Sequence, residues 1–239
     1  MPCDEFDISP FPLFTKHMLA QVYSWAVLGL DGVIVEVGWE SSQPNKWQHD
    51  QDSHGTHVTS TILGYSLGGT PINGVAPMPT VIPVKVLNQN GSGWSSVVAR
   101  GIMYVADLKA GLLEDYPVVI NMSLGGPELE PMEKAAIDYA IDKGAIIVAS
   151  AGNRGAAGMG FPGAYAPVIS VAASGWVGVW SPVNNFSWWW NLNVAEPTNP
   201  ADFYITDFSS RQLAGQDLDA AALGSWVVGP YQVNRGHLS

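Results

Sequence analysis

Cysteine is almost absent from this chain of 239 residues, because Cys3 is its single example. No disulfide can therefore form within the chain, and packing alone has to hold its fold together. Charged residues are also few, 13% of the chain against 47% apolar residues, a composition that argues against disorder and against a coiled coil. A chain of this length, with no segment of linker composition, is predicted to form one domain over residues 1–239.

Positive charge is scarce as well. The chain has 10 lysines and arginines against 21 aspartates and glutamates, which gives a formal net charge of −11. A surface of this sign repels the phosphate backbone of DNA and RNA. We therefore expect no nucleic acid partner.

A long apolar segment is missing too. The apolar run from residue 18 to residue 30 is too short to span a bilayer, and polar residues interrupt it. Asp4, Glu5 and Asp7 precede this run where a signal peptide would be basic, and no Ala-x-Ala cleavage pattern follows it. We therefore predict no signal peptide, no membrane partner and a soluble protein. We also expect a monomer.

From about residue 33, short apolar runs rich in β-branched residues alternate with longer segments of helical period. This alternation is typical of an α/β fold, predicted here as a three-layer sandwich with a mostly parallel central sheet. Ser95 is predicted to cap the helix that begins there, and Leu112 is predicted to lie on the buried face of the same helix. The predicted strands cover 33–37, 81–87, 118–121, 145–150 and 168–173, with the first two at central positions. The predicted helices cover 95–112 and 132–143, with Gly144 ending the second.

Residues 175–207 break this alternation and predict a long inserted loop. The insert is rich in tryptophan, which indicates that its own packing orders it. Trp176, Trp180 and the triplet Trp188–Trp190 fit either a stacking platform for sugars or peptides or a cover over the edge of the sheet. The sequence leaves both interpretations open.

One segment reads Asp-Ser-His-Gly-Thr-His-Val and contains His54 and His57 at a predicted helix start. Thr56 is predicted to cap this helix, so that an imidazole projects from the helix end. Taken from the residues alone, the segment fits a catalytic histidine, a metal site that includes His49, Asp50 and Asp52, or two structural histidines.

Two further motifs concern the backbone near predicted strands. The stretch 150–155 reads Ser-Ala-Gly-Asn-Arg-Gly, and Asn153 lies in it just after a strand. Taken alone, an asparagine beside glycine is a common turn residue. The stretch 121–126 reads Asn-Met-Ser-Leu-Gly-Gly, and its glycines allow another chain to approach the backbone closely.

Together these motifs resemble those of the subtilases, the subtilisin-like serine proteases. The resemblance implies a subtilisin-like fold and serine-type endopeptidase activity, which is the hydrolysis of peptide bonds. It implies that His54 is the general base and that the side-chain amide of Asn153 donates to the oxyanion of the tetrahedral intermediate. It also implies an extracellular location.

By the same resemblance, the substrate is a polypeptide in extended conformation that pairs with the backbone of the cleft. The residues implied to bind it are Ser123, Leu124, Gly125, Gly126 and Gly152. No cofactor is identified. Subtilases often bind calcium, but no acidic loop of this chain matches a calcium site, so calcium is expected from the resemblance only.

Two parts of the subtilase pattern are not found. Subtilases use an aspartate, a histidine and a serine in this chain order. No Asp-Thr-Gly or Asp-Ser-Gly precedes His54, and Asp31 and Glu36 are interpreted as a turn residue and a mid-strand residue. No Gly-Thr-Ser follows Asn153. The triad aspartate and the nucleophilic serine therefore stay unassigned.

We accordingly interpret the chain as a subtilase domain that is incomplete at its C-terminus and matches the family poorly over residues 1–30. Loss of the nucleophile costs about 10⁶-fold in kcat in subtilisin itself. We therefore expect the chain as it stands to be inactive. The alternative is a peptide-binding pseudoprotease that performs no catalysis.

Overall fold

The structure is a computed structural model, and it describes residues 50, 52–88, 90–177 and 199–230 together with three strands nearer the N-terminus. The chain divides into two compact units. The first unit comprises Met1–Ser123, Leu129–Ile147 and Gly229–Ser239, and the second comprises Leu124–Glu128 and Val148–Val228. The prediction of a single domain stays a prediction.

The described part of the chain holds three α-helices and eleven strands. The helices are α1 (His54–Leu63), α2 (Ser95–Ala110) and α3 (Pro131–Asp142). The strands are β1 (Met18–Tyr23), β2 (Val27–Leu28), β3 (Ile34–Val35), β4 (Gly64–Leu67), β5 (Thr70–Asn73), β6 (Thr80–Lys85), β7 (Val118–Met122), β8 (Ala145–Ser150), β9 (Ile169–Trp176), β10 (Phe203–Ile205) and β11 (Ala220–Leu223).

Three parallel strands form the main sheet of the first unit. β1 lies between β6 and β7 and runs parallel to both. Val118, Ile120 and Met122 of β7 are at most 1% exposed, and they occupy alternate positions, as the period of two in a strand requires. The strands predicted at 81–87 and 118–121 are thereby confirmed.

The helices α2 and α3 pack against each other in the first unit. Gly144 follows the last turn of α3 with φ 86°, a left-handed conformation that suits glycine. Both predicted helices are confirmed, and their buried residues follow helical spacing. These residues include Val98, Ile102 and Val105 on α2 and Ala136, Ile137 and Ala140 on α3.

Two predicted details of α2 are wrong. Trp94, and not Ser95, stands at the N-cap position, and its side chain makes no capping hydrogen bond. Leu112 is 62% exposed whereas Leu113 is buried. The reason is that α2 ends at Ala110, so the helical spacing no longer decides which residue faces inward.

Strand β9 organises the second unit. It pairs in parallel with the end of β8 and with β11, and antiparallel with β10. Ser170 secures β11, because its N–H and its hydroxyl both donate to Asp219 Oδ2 at 2.8 Å. These hydrogen bonds lower the pKa of Asp219, since they stabilise the carboxylate. The strands predicted at 145–150 and 168–173 are confirmed, and the second extends to Trp176.

Two strands of the second unit are absent from the sequence prediction. β10 lies inside the segment 175–207 that is predicted as one loop, and three residues pair it with β9. β11 reads Ala-Ala-Ala-Leu, which has little β-propensity, so pairing with β9 forms it rather than local preference. Both interpretations of the insert involve Trp180 and Trp188–Trp190, which lie outside the described residues.

The prediction of a central strand at 33–37 is also wrong. β3 pairs antiparallel with β2 in a separate two-stranded sheet, and β1 takes the place between β6 and β7. β6 is predicted central too, but β1 is its one neighbour among the described strands. A short apolar run fits many strand positions, and long-range pairing decides between them. A hairpin of β4 and β5, turned by Gly68 and Gly69 with positive φ, also goes unpredicted.

The helices and the mostly parallel pairing confirm the α/β class. Each of α2 and α3 connects one strand to the next, as parallel strands require a crossover connection. Among the described residues, no helix combines the length and the apolarity needed to cross a bilayer.

Glu133 is a buried acid in the first turn of α3, with only 6% exposure. Burial, and to a lesser degree the charge of Glu130, raises the pKa of its carboxyl to about 7 from an ordinary 4.5. The folded-state pKa thus lies above the unfolded-state value. The stability that this group contributes is therefore complete below pH 4.5 and is lost as the pH rises through 7.

We expect Glu133→Gln to raise the free energy of unfolding near about pH 8 by about 1–3 kcal/mol and to change it little near about pH 4. Urea unfolding at the two pH values measures this difference. Glu114→Gln is the control, because Glu114 is exposed. An equal gain at both pH values would contradict the proposed cause.

Candidate active site

Helix α1 begins at His54, and the carboxylate of Asp50 determines this start. Asp50 is 1% exposed, and its Oδ1 accepts a hydrogen bond from the Ser53 N–H at 3.0 Å. Its Oδ2 accepts from the Thr56 N–H at 2.9 Å and from the Thr56 hydroxyl at 2.7 Å. The first N–H groups of a helix lack partners within the helix, so this carboxylate supplies an acceptor that the helix cannot.

The prediction that Thr56 caps α1 is therefore wrong, since its hydroxyl donates to Asp50. Ser53 stands at the N-cap position with φ 70°, and its side chain makes no capping hydrogen bond. Sequence reasoning missed Asp50 in this role because it lies three residues before the position where capping side chains are usually sought.

The metal-site interpretation of this segment finds no support in the described residues, and His49, which it also involves, lies outside them. No three histidine, cysteine, aspartate or glutamate side chains among them lie close enough together to hold an ion. Asp50 is in addition occupied by backbone and hydroxyl donors. No described acidic cluster fits calcium either, so the expectation of calcium stays a prediction.

His54 is a partly buried imidazole at the first position of α1. Desolvation lowers its pKa from 6.5 more than Asp52 and Asp50 raise it, and the charge of His57 lowers it further. The imidazole is therefore neutral at neutral pH, which is the form that accepts a proton.

His57 lies one turn further along α1 and packs against the backbone at Gly229. A Cβ added to Gly229 would lie 2.6 Å from His57 Cδ2 and 2.8 Å from Ser60 Oγ, so a side chain at this position would force a shift. The Ser60 hydroxyl donates to the His57 carbonyl at 2.6 Å. These contacts fit a packing role for His57.

Lys85, at the end of β6, is a charged neighbour of the histidine segment that sequence reasoning missed. Burial lowers the pKa of its ammonium, while the charges of Asp50 and Asp52 raise it. Lys85 thus places a positive charge near the two carboxylates that act on His54.

Asn153 lies in a turn that follows β8. The Ala151 N–H donates to the Val171 carbonyl at 2.8 Å, which continues the pairing with β9. Gly152 then takes φ 100°, a conformation that glycine adopts without strain. Within the described part of the chain, the exposed side-chain amide of Asn153 makes no hydrogen bond. This amide is therefore available as a donor.

In the stretch 121–126, the backbone of Gly126 is hydrogen-bonded to another segment of the chain. Ser123 Oγ accepts from Asn121 Nδ2 at 3.1 Å. Gly126 exchanges backbone hydrogen bonds of 2.8 and 2.9 Å with Phe161. A Cβ on Gly125 would lie 3.0 Å from the Phe161 carbonyl oxygen, so glycine lets the two backbones approach.

The predicted site residues are distributed over the two units. Gly152 and Asn153 are consecutive residues of one turn. The first unit contains His54 and Ser123, and the second contains Leu124, Gly125, Gly126, Gly152 and Asn153.

Comparison with known proteins shows which family the chain belongs to. Residues 30–220 match peptidase S8, the subtilase family. The chain belongs to this family. As a subtilase it is 30% identical to thermitase from Thermoactinomyces vulgaris over 194 residues, 81% of this chain and 57% of thermitase. It is 31% identical to a subtilisin from Bacillus sp. (strain TA39) over 189 residues, 78% of this chain and 37% of that protein.

Solved structures agree with this subtilase assignment. The fold is similar to that of sphericase, with a TM-score of 0.66 and 25% identity over 92% of this chain and 71% of sphericase. It is also similar to that of S41 psychrophilic protease, with a TM-score of 0.64 and 26% identity over 90% of this chain and 68% of that one. The subtilisin-like α/β fold is confirmed. The chain spans 57% of the length of thermitase and 37% of the length of the Bacillus subtilisin.

The role of Asp50 leads to a stability prediction. Asp50→Ala removes three hydrogen bonds from the start of α1, so we expect the free energy of unfolding to fall by about 1–3 kcal/mol. Denaturant unfolding measures the loss. Asp52→Ala is the matched control, because Asp52 makes no hydrogen bond to the described residues. Equal losses in the two variants would contradict the capping role.

The electrostatics of His54 lead to a second prediction. Asp52 exerts the strongest upward effect on the pKa of His54. Asp52→Asn should lower that pKa further, because the imidazolium loses a stabilising charge. NMR titration of the His54 Hε1 signal measures the change. Asp142→Asn, on α3 with a 73% exposed side chain, should leave it unaltered, and a rise in Asp52→Asn would refute the assignment.

Proposed function

We propose that the chain is part of a peptidase domain of the subtilisin class, a serine-type endopeptidase that hydrolyses peptide bonds. Its general base is His54 and its oxyanion donor is Asn153. The observation that carries this proposal is a desolvated imidazole of lowered pKa, at the first position of a helix whose start Asp50 fixes. Membership of the subtilase family supplies the class of reaction.

In this reaction the neutral imidazole of His54 takes the proton from a serine hydroxyl while the serine oxygen attacks the carbonyl carbon of the scissile bond. The carbonyl oxygen becomes an oxyanion, and the side-chain amide of Asn153 donates a hydrogen bond to it. His54 then gives the proton to the leaving amine, and water hydrolyses the acyl-enzyme by the same steps. The nucleophilic serine and the triad aspartate are assigned to no residue of the chain.

The substrate in this proposal is an extended polypeptide that pairs with the backbone of 123–126 and of Gly152. Support comes from Gly125 and Gly126, which present no side chain that would keep an extended chain away from the backbone. We further propose an extracellular, monomeric protein without nucleic acid or membrane partners. Bound calcium rests on the family alone.

We also propose that the chain as it stands is inert, because no Gly-Thr-Ser follows Asn153. A fluorophosphonate probe should label no serine, and casein should stay uncleaved. The heat-unfolded chain is the control for non-specific labelling. A serine that reacts in the folded chain alone would contradict the inertness.

The endopeptidase proposal itself is tested on the nucleotide sequence on both sides of the reading frame. We expect Gly-Thr-Ser to be encoded downstream of Ser239, and Asp-Thr-Gly or Asp-Ser-Gly to be encoded upstream of Asp31. The longer protein should cleave casein and react with the probe at the new serine. His54→Ala should abolish both reactions, whereas His17→Ala, which precedes the family match at residue 30, should abolish neither.

The absence of both motifs from the flanking sequence would overturn the endopeptidase proposal. A longer protein that keeps full activity after His54→Ala would overturn the role of His54. In the first case, a peptide-binding protein without catalysis would be the function to pursue.

A further inference from the structure

Ser210 bonds to both neighbours of Asn153. The Ser210 N–H donates to the Gly152 carbonyl at 2.8 Å. The Ser210 hydroxyl oxygen accepts from the Arg154 N–H at 3.1 Å. Ser210 is fully buried, which limits the access of water to its side of both hydrogen bonds. One residue therefore holds the backbone on either side of the exposed asparagine.

The same turn is tied to the segment around Ser210 at a second point. The Gly155 N–H donates to the Phe208 carbonyl at 3.0 Å, and the Arg211 N–H donates to the Gly155 carbonyl at 2.9 Å. A Cβ on Gly152 would lie 3.2 Å from Ser210 Oγ, so the turn and the serine are in close contact. The conformation of 152–155 thus depends on the residues 208–211.

Arg211 makes the segment around Ser210 rigid. Its Nη1 donates to the carbonyls of Thr206 at 2.8 Å and Ser209 at 2.7 Å, and its Nη2 donates to the carbonyl of Ile205 at 3.1 Å. A guanidinium presents several donors in a fixed plane, so it holds these carbonyls in one arrangement. The serine that contacts the turn is therefore itself held in place.

We propose that Ser210 is a positioning residue for the oxyanion donor Asn153. The inference rests on the proposed function, in which the amide of Asn153 donates to the oxyanion. Such a donor acts only when its nitrogen lies within hydrogen-bond distance of the developing charge. The side chain of Asn153 makes no hydrogen bond of its own in the described residues, so its backbone neighbours determine where the amide points.

The chain offers a matched control in the preceding residue. Ser209 is 1% exposed, and its hydroxyl oxygen also accepts one backbone hydrogen bond, from the Ala173 N–H at 2.9 Å. Ala173 belongs to β9 and not to the turn. Ser209→Ala and Ser210→Ala therefore remove equivalent, partly buried hydrogen bonds, and only the second adjoins Asn153.

NMR of the ¹⁵N-labelled chain tests the proposal without any turnover. Ser210→Ala should shift the side-chain amide signals of Asn153 and speed the hydrogen exchange of the Arg154 amide about tenfold or more. Ser209→Ala should leave both readouts unchanged and speed the exchange of the Ala173 amide instead. Ser210→Thr, which keeps the hydroxyl, should give the same Asn153 signals as the unsubstituted chain. If Ser210→Ala does not fold, Ser210→Cys replaces it, because sulfur is a weaker acceptor.

Unchanged Asn153 signals in Ser210→Ala, or an equal shift in Ser209→Ala, would overturn the positioning role. These readouts need no active enzyme, so their result does not depend on whether the endopeptidase proposal is correct. In the longer, serine-bearing protein, Ser210→Ala should lower kcat with little change in KM. Combined with Asn153→Ala it should lower kcat no further, whereas independent, multiplying losses would again overturn the role.

Discussion

The buried carboxylate of Asp50 is the interaction on which the histidine segment depends. A helix that begins at its functional residue has no preceding turn to accept its first N–H groups, so an acceptor has to come from elsewhere in the chain. Asp50 provides it from three residues before the N-cap position, and at 1% exposure it does so away from competing water. The charge that fixes the helix start also acts on the imidazole, where it opposes the desolvation that lowers the pKa of His54. The same carboxylate therefore helps to set both the structure at this position and the proton affinity of its imidazole, on which desolvation and Asp52 act more strongly.

In the second unit, polar side chains bond mainly to the backbone rather than to each other. Among the described residues, the Arg211 guanidinium donates to carbonyls alone. Gln216 Oε1 accepts from the N–H groups of Met159 and Leu213 at 3.0 and 3.1 Å. Ser170 and Asp219 attach β11 to β9 in a comparable way. A chain with a single cysteine has no disulfide within it to fix such loops. Here hydrogen bonds to the main chain do so instead, most of them partly buried, where a group without a partner would be costly.

The sequence predicts those parts of the structure whose cause is local. Spacing within α2 and α3 sets their buried faces, and Ile102 and Ile137 lie where that spacing puts them. The histidine and asparagine motifs are recognisable because each is short and contiguous. The rest depends on residues far apart in the chain: β1 enters between β6 and β7, and Ser210 meets Arg154 across 56 residues. Such pairings leave no periodic pattern in either partner, so neither the place of β1 nor the partner of the Asn153 turn can be found from one sequence.

Ser209 and Ser210 are identical neighbours with different partners, one on β9 and one in the turn at 152–155. Because the two side chains are the same, their chemistry cannot distinguish their roles. Only the number of residues that separates each serine from β10 does so. Inserting or deleting one residue between Ile205 and Ser209 would move a serine out of register while leaving the composition of the segment almost unchanged. In this subtilase the length of that connection should therefore drift less over evolutionary time than the identity of the residues within it.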